Sequence, residues 1–230
     1  MLSMARVAAA LLAVMFGLVV LGVASGCSAP DYTYVKNTTH RTYFKVPAAW
    51  RVIDENALKQ IMTGDSSTSG NSTQTPANNG SWAVAYDAAE DPSPKHLVDS
   101  DTSQPIVYAS VQPVPPADRE QISLDSLRDL MLPVTATARS GQTRDTSPFS
   151  DFTLVTDTVL TPEPGLRGVH EVFQYRLQGG PLQTFDQTAY VNDDASKVYV
   201  MLLRCSTECY QARRAELESV AASFTVQEGS

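Results

Sequence analysis

Two cysteines near the C-terminus, Cys205 and Cys209, stand four apart in the stretch LLRCSTECYQ. Thiols at that spacing can close a disulfide, exchange with another disulfide, or supply half of a metal site. The usual exchange motif is C-x-x-C, one residue shorter. Two thiolates without further ligands make a poor zinc site. The expectation is a structural disulfide joining a strand end to a helix start, with a redox switch as the alternative. Its closed loop is short, so it would stabilise by roughly 2 kcal/mol. His40, His96 and His170 each stand alone in the sequence, with no metal-ligand spacing among them. His170 is expected on a strand, partly exposed. Asp91, Asp99 and Asp101 are too dispersed for a calcium loop, and a solvated acidic loop is expected there. G-x-S-x-G, S-x-x-K and a Cys/His pairing are all absent. The serines of DSSTSGNST have no base nearby. The residue pattern therefore predicts no enzyme, no metal and no cofactor. Asn37, Asn71 and Asn79 fit N-x-S/T, to which no role is assigned.

The remaining cysteine, Cys27, follows a different logic. Arg6 is the only charge before it, and residues 7 to 23 are apolar or glycine throughout. A positive start, an apolar stretch and a small-residue exit make a secretory signal. An uncleaved membrane helix is the alternative, but no basic stop-transfer cluster follows. Ala24-Ser25-Gly26-Cys27 resembles a bacterial lipobox. That resemblance implies cleavage after residue 26 and thioether lipidation of Cys27, with palmitate-type acyl chains anchoring the protein on the outer face of the cell membrane. Two or more acyl chains hold stably where one is marginal. With Cys27 acylated, Cys205 and Cys209 remain as an even pair, whose default outside the membrane is a disulfide.

The chain carries 17 basic and 25 acidic residues, a net charge of −8. Loss of Arg6 with the signal makes it −9. That sign excludes nucleic acid as a natural partner. It also leaves no basic cluster for docking on anionic lipid, so the anchor must tether alone. The length after residue 26 suits one domain.

The elements that would position these residues can be read from periodicity. Residues 27–41 are polar without a period and are expected to be a flexible tether. Residues 42–53, TYFKVPAAWRVI, read as a strand interrupted at Pro47. Residues 54–62 read as a short helix capped by Asp54. Residues 63–80 contain no large apolar side chain and are expected to be a disordered loop. Strands follow at 81–89 and 106–114, and a helix at 123–132 with Ser123 as cap. FTLVTDTVL, GVHEVFQYRLQ, QTFDQTAYV and KVYVMLLRC read as four successive strands. In the second, Glu171, Phe173, Tyr175 and Leu177 share one face; His170, Val172, Gln174 and Arg176 share the other. The last is apolar on both faces and should be central. Asn192-Asp193-Asp194 suits the turn before it. An amphipathic helix closes the chain from Ser206 onward. The expected fold is α+β: an antiparallel sheet with helices packed on it, in one domain over 42–227. Nine tyrosines and two tryptophans fall mostly at core spacing. Some could instead line a groove for an apolar or sugar-like ligand.

Two passages carry a family resemblance. YFKVPAAWRVI resembles the opening of PsbP-like domains, and KVYVMLLRCSTECYQARRAELESVAASFTV resembles their close. With the lipobox, the chain is similar to actinobacterial LpqN-type lipoproteins. The resemblance implies an antiparallel sheet between helices and no catalytic residue. It implies an adaptor or assembly factor that binds other cell-envelope proteins. The alternative is a carrier holding a small amphipathic or lipid-like molecule in a cavity beside the sheet.

Overall fold

The computed structural model describes residues 30–63, 80–142 and 147–227. The signal peptide, Cys27 and nearly all of the polar loop at 63–80 lie outside the described residues. The chain divides into a leading segment, Met1–Asp31, and one compact unit, Tyr32–Ser230.

Within that unit two antiparallel sheets form. The smaller contains β1 (Tyr32–Asn37), β2 (Thr42–Pro47) and β10 (Thr225–Val226), with β2 in the middle. β1 is a correction to the expected tether. Its alternation is faint because only Val35 is buried, but it pairs along its whole length with β2. The larger sheet has seven strands: β3 (Arg51–Val52), β4 (Trp82–Asp87), β5 (Ile106–Pro113), β6 (Phe149–Glu163), β7 (Leu166–Leu177), β8 (Leu182–Asn192) and β9 (Lys197–Ser206). Their spatial order is β3-β4-β5-β9-β8-β7-β6. Pro47 does break the first expected strand: β2 ends there, Trp50 N–H bonds Pro47 O at 3.0 Å, and β3 joins the other sheet.

β9 is the fourth of seven strands and is covered on both faces, as its unbroken apolar run requires. Tyr199, Met201, Leu203 and Cys205 point to a core shared with Phe44 and Val46 of β2 and with two C-terminal helices, α4 (Thr207–Ala212) and α5 (Arg214–Ala221). The expected single C-terminal helix is split at Arg213, whose φ of −113° departs from helical geometry. Leu217 and Val220 of α5 are fully buried in this core. The opposite face carries Val198, Val200 and Leu202 and packs under α1 (Glu55–Thr63) and α2 (Leu124–Arg128).

α1 is capped as expected, Asp54 Oδ1 accepting Ala57 N–H at 2.9 Å. α2 is shorter than its apolar spacing predicts. Asp129 ends it by accepting the N–H groups of Val134 and Thr135 at 2.7 and 2.8 Å, which turns the chain toward α3 (Ala136–Ser140). Gly168 of β7 is needed for close approach: a Cβ there would fall on Ala189 O of β8. β6 forms one edge of the sheet, and three register shifts interrupt its pairing with β7. Leu154, Val155 and Val159 of this strand are exposed. No helix among the described residues is long and apolar enough to cross a membrane.

Candidate functional site

The alternation that buries Phe173 and Phe185 on one face of β7 and β8 places His170, Val172, Thr184 and Asp186 on the other. The antiparallel register pairs Val172 with Asp186 and His170 with Thr188, so His170 and Asp186 are diagonal neighbours. Their side chains meet at 2.9 Å, His170 Nε2 to Asp186 Oδ1. The second oxygen, Asp186 Oδ2, accepts the Tyr210 hydroxyl of α4 at 2.7 Å. Asp186 is 2% exposed and His170 about a third. These three groups form one end of a cleft of about 610 Å³ between the sheet and the C-terminal helices.

The cleft has two chemically distinct ends. Beside the His170–Asp186–Tyr210 cluster, Thr184 Oγ1 bonds Thr207 Oγ1 at 3.0 Å and takes the Gln174 amide at 3.3 Å. The other end is formed by Leu160, Tyr190 and Phe224, with the last two rings stacked at 5.9 Å. At the rim, Arg214 pairs with Glu218 at 2.7 Å. The hydrogen bond to Asp186 raises the His170 pKa, against the opposing effect of burial. Burial, then the Asp186 charge, pushes the Tyr210 hydroxyl well above its usual range. His170 is therefore a cation held by a buried carboxylate over more of the neutral range than an ordinary histidine.

This arrangement can bind but is poorly furnished for acyl transfer. No serine or cysteine among the described residues lines the cleft. Among the described residues, the side-chain hydrogen bond of His170 goes to Asp186, and none joins it to Thr156, Thr184 or Thr188. A nucleophile and its base must be within hydrogen-bond reach.

The sequence-predicted residues are dispersed. Cys27 lies outside the described residues. Cys205 and Cys209 are brought together as free cysteines near enough for each to shift the other's titration. Cys205 is fully buried, and its hydrogen bond with Cys209 followed by burial pushes its thiol far up. Cys209, half-buried, is lowered by the Cys205 hydrogen bond and by Arg213. His40 sits at the β1–β2 turn, where its N–H bonds Asn37 Oδ1 at 3.0 Å. His96 bonds the buried Asp87 at 2.6 Å. Among the described residues no cluster of three His, Cys, Asp or Glu side chains could hold a metal.

Sequence reasoning named Tyr210 only among the aromatics that pack the core or line a groove, and it passed over Asp186, although a signal was present. Asp186 is a lone charge inside QTFDQTAYV, a strand whose neighbours are buried. Arg204 carries the same signal in β9, and Glu171 is a further charge on a buried face of β7; both are 0% exposed. A charge in a buried strand must be paired or neutralised.

No family model matches the chain, and no curated protein matches it. Solved structures do. The solution structure of cyanobacterial PsbP (CyanoP) from Synechocystis sp. PCC 6803 superposes with a TM-score of 0.50 at 14% identity, covering 90% of this chain and 99% of that one. The fold is PsbP-like. LpqN of Mycobacterium tuberculosis, described as involved in cell envelope biogenesis, aligns at 15% identity with a TM-score of 0.36, covering 86% of this chain and 91% of its own. A Pseudomonas aeruginosa protein of unknown function aligns at 13% identity with a TM-score of 0.40, covering 87% and 100%. The PsbP-like architecture accounts for both resembling passages: the first supplies β2 and β3, and the second supplies β9, the two C-terminal helices and β10.

Proposed function

We propose that this is a lipid-anchored, extracytoplasmic, non-enzymatic protein that carries a small amphipathic molecule in the cleft beside β7 and β8. The observation that carries the reading is the cleft itself. Its volume of about 610 Å³ suits a small ligand. One end offers His170, Asp186, Tyr210 and Thr184 to a polar head, and the other offers Leu160, Tyr190 and Phe224 to an apolar body. Export and anchoring rest on the signal-like residues 1–26 and on Cys27. The first strand begins at Tyr32, so four residues separate Cys27 from the compact unit. The absence of a nucleophile beside His170 favours binding over hydrolysis.

An adaptor role for other envelope proteins is the second reading, favoured by β6. This edge strand spans 15 residues and exposes Leu154, Val155 and Val159. A partner strand could add to such an edge.

The test of the carrier reading uses the unit Tyr32–Ser230 and the fluorescent amphiphile N-phenyl-1-naphthylamine. Saturable binding is expected, weakened at least tenfold by Ala222→Trp, which places a large ring at the exposed rim of the cleft. Wild-type protein that fails to enhance the dye, or an Ala222→Trp protein that binds it equally, would remove the reading.

A further inference from the structure

The opposite face of the large sheet contains a second cavity of about 370 Å³, with Arg204 in its lining. Arg204 belongs to β9 and alternates onto that face with Val200 and Leu202. It is 0% exposed, the largest fully buried side chain among the described residues. Its guanidinium lies over the ring of Phe185, its register partner on β8, at 5.2 Å. One terminal nitrogen donates to Leu97 O at 2.8 Å; the other donates to Asp99 O at 2.6 Å and to Gln183 Oε1 at 3.0 Å. These acceptors are neutral. The Nε–H has no partner. The carboxylates of Asp99 and Asp101 act on the guanidinium through their charges without bonding to it. Burial pulls its pKa down to about 10.

Pinning the loop through Leu97 and Asp99 explains two of these contacts and leaves the cation without a bonded anion. Burying a charge is unfavourable unless it is paired. Most of the remaining lining is apolar, with Met62, Met131, Leu132 and Leu202 among its groups, and Gln178 and the Tyr108 hydroxyl add polar atoms. An apolar chamber beside a buried, incompletely bonded arginine is complementary to a chain with a single anionic end. A volume of about 370 Å³ is at the small end of ligand pockets and suits a short or medium aliphatic chain. We infer that this cavity is a second ligand site, distinct from the cleft, that takes a medium-chain aliphatic carboxylate with its head toward Arg204. This site stands apart from the proposed carrier function, since the two chambers lie on opposite faces of the sheet.

The test uses the full chain in lipid nanodiscs and a decanoic acid bearing a diazirine near its tail. Photolabelled peptides are mapped by mass spectrometry, with unlabelled decanoate or decan-1-ol as competitor. Label is expected on the peptides that carry Met62, Met131 or Leu132. Decanoate should compete at least tenfold more effectively than decan-1-ol. Arg204→Gln should abolish that preference. Val98→Trp, at an exposed rim position, should abolish the label while leaving the loop-pinning contacts of Arg204 in place. Ala222→Trp, across the sheet, should retain it. Equal competition by the alcohol would overturn the inference, as would label that survives Val98→Trp. Label lost in Ala222→Trp and kept in Val98→Trp would move the acid to the cleft, overturning this site while leaving the carrier reading standing.

Discussion

Glu171 offers a test of the buried polar chemistry in which the sign and size of the effect follow from the structure. It lies on β7, 0% exposed, on the face covered by α2. Gln187 Nε2 donates to its Oε1 at 2.8 Å, and to the Leu127 and Arg128 carbonyls at 3.1 and 3.2 Å. Two atoms of this cluster have no partner, Glu171 Oε2 and Gln187 Oε1. Both are acceptors while the carboxyl is ionised. Protonation turns Glu171 into a donor that suits the orphaned amide oxygen. Burial, reinforced by Asp157 and opposed by Arg128, raises its pKa from 4.5 to about 8. The folded protein thus keeps a proton that the unfolded chain releases near 4.5, so this group's contribution to stability falls as pH rises from 4.5 toward 8. At 1.36 kcal/mol per unit, the loss is about 3 kcal/mol by pH 7 and about 5 kcal/mol across the whole interval. Glu171→Gln supplies a permanent donor and cannot ionise. Urea unfolding of the unit Tyr32–Ser230 should show the two proteins closest near pH 4.5, with the variant gaining about 3 kcal/mol over wild type by pH 7. A difference that does not change between pH 4.5 and 8 would refute the reasoning.

Further outcomes follow from other contacts. Asp186→Asn should lower the His170 pKa from its raised value to below 6.5, because burial persists when the carboxylate is lost; NMR titration of the imidazole measures this. In wild type the same shift contributes stability that is fully present below 6.5 and is lost as pH rises through the folded value, a trend that Asp186→Asn should remove. Iodoacetamide should modify Cys209 well before Cys205, since Cys209 is half-exposed with a lowered pKa and Cys205 is buried with a raised one. Exposure to oxidised glutathione should close the proposed disulfide between them, a loss of two hydrogens in the intact mass. Gly168→Ala should destabilise by more than the roughly 1–3 kcal/mol of ordinary overpacking, because its Cβ meets the rigid backbone at Ala189 O; thermal unfolding reads the effect.

The strands of the larger sheet were legible where a run was both long and strongly patterned. The four C-terminal strands and the central position of β9 are examples, as is the facing of His170 opposite Glu171. Of the smaller sheet only β2 was legible. β1 buries only Val35, and β10 is two residues long, so neither repeats often enough to show a period. Their stability comes from β2, which a local pattern cannot reveal. The helix ends were misjudged where side chains intervene, as Asp129 does after α2. Cys205 and Cys209 were legible as a pair because they are close in sequence. The cleft was not, because Asp186 and Tyr210 are 24 residues apart and meet only when α4 folds back on β8. The charges at Asp186 and Arg204, set in strands that otherwise read as buried, were the visible trace of the two chambers.

Native mass spectrometry of the lipidated protein, purified from its own membranes, tests the carrier reading most directly. The account expects a mass for Cys27 through Ser230 plus its lipid, accompanied by a non-covalently bound small molecule that the Ala222→Trp protein lacks. Spectra in which wild type and Ala222→Trp hold the same non-covalent mass, or in which neither holds any, would contradict it.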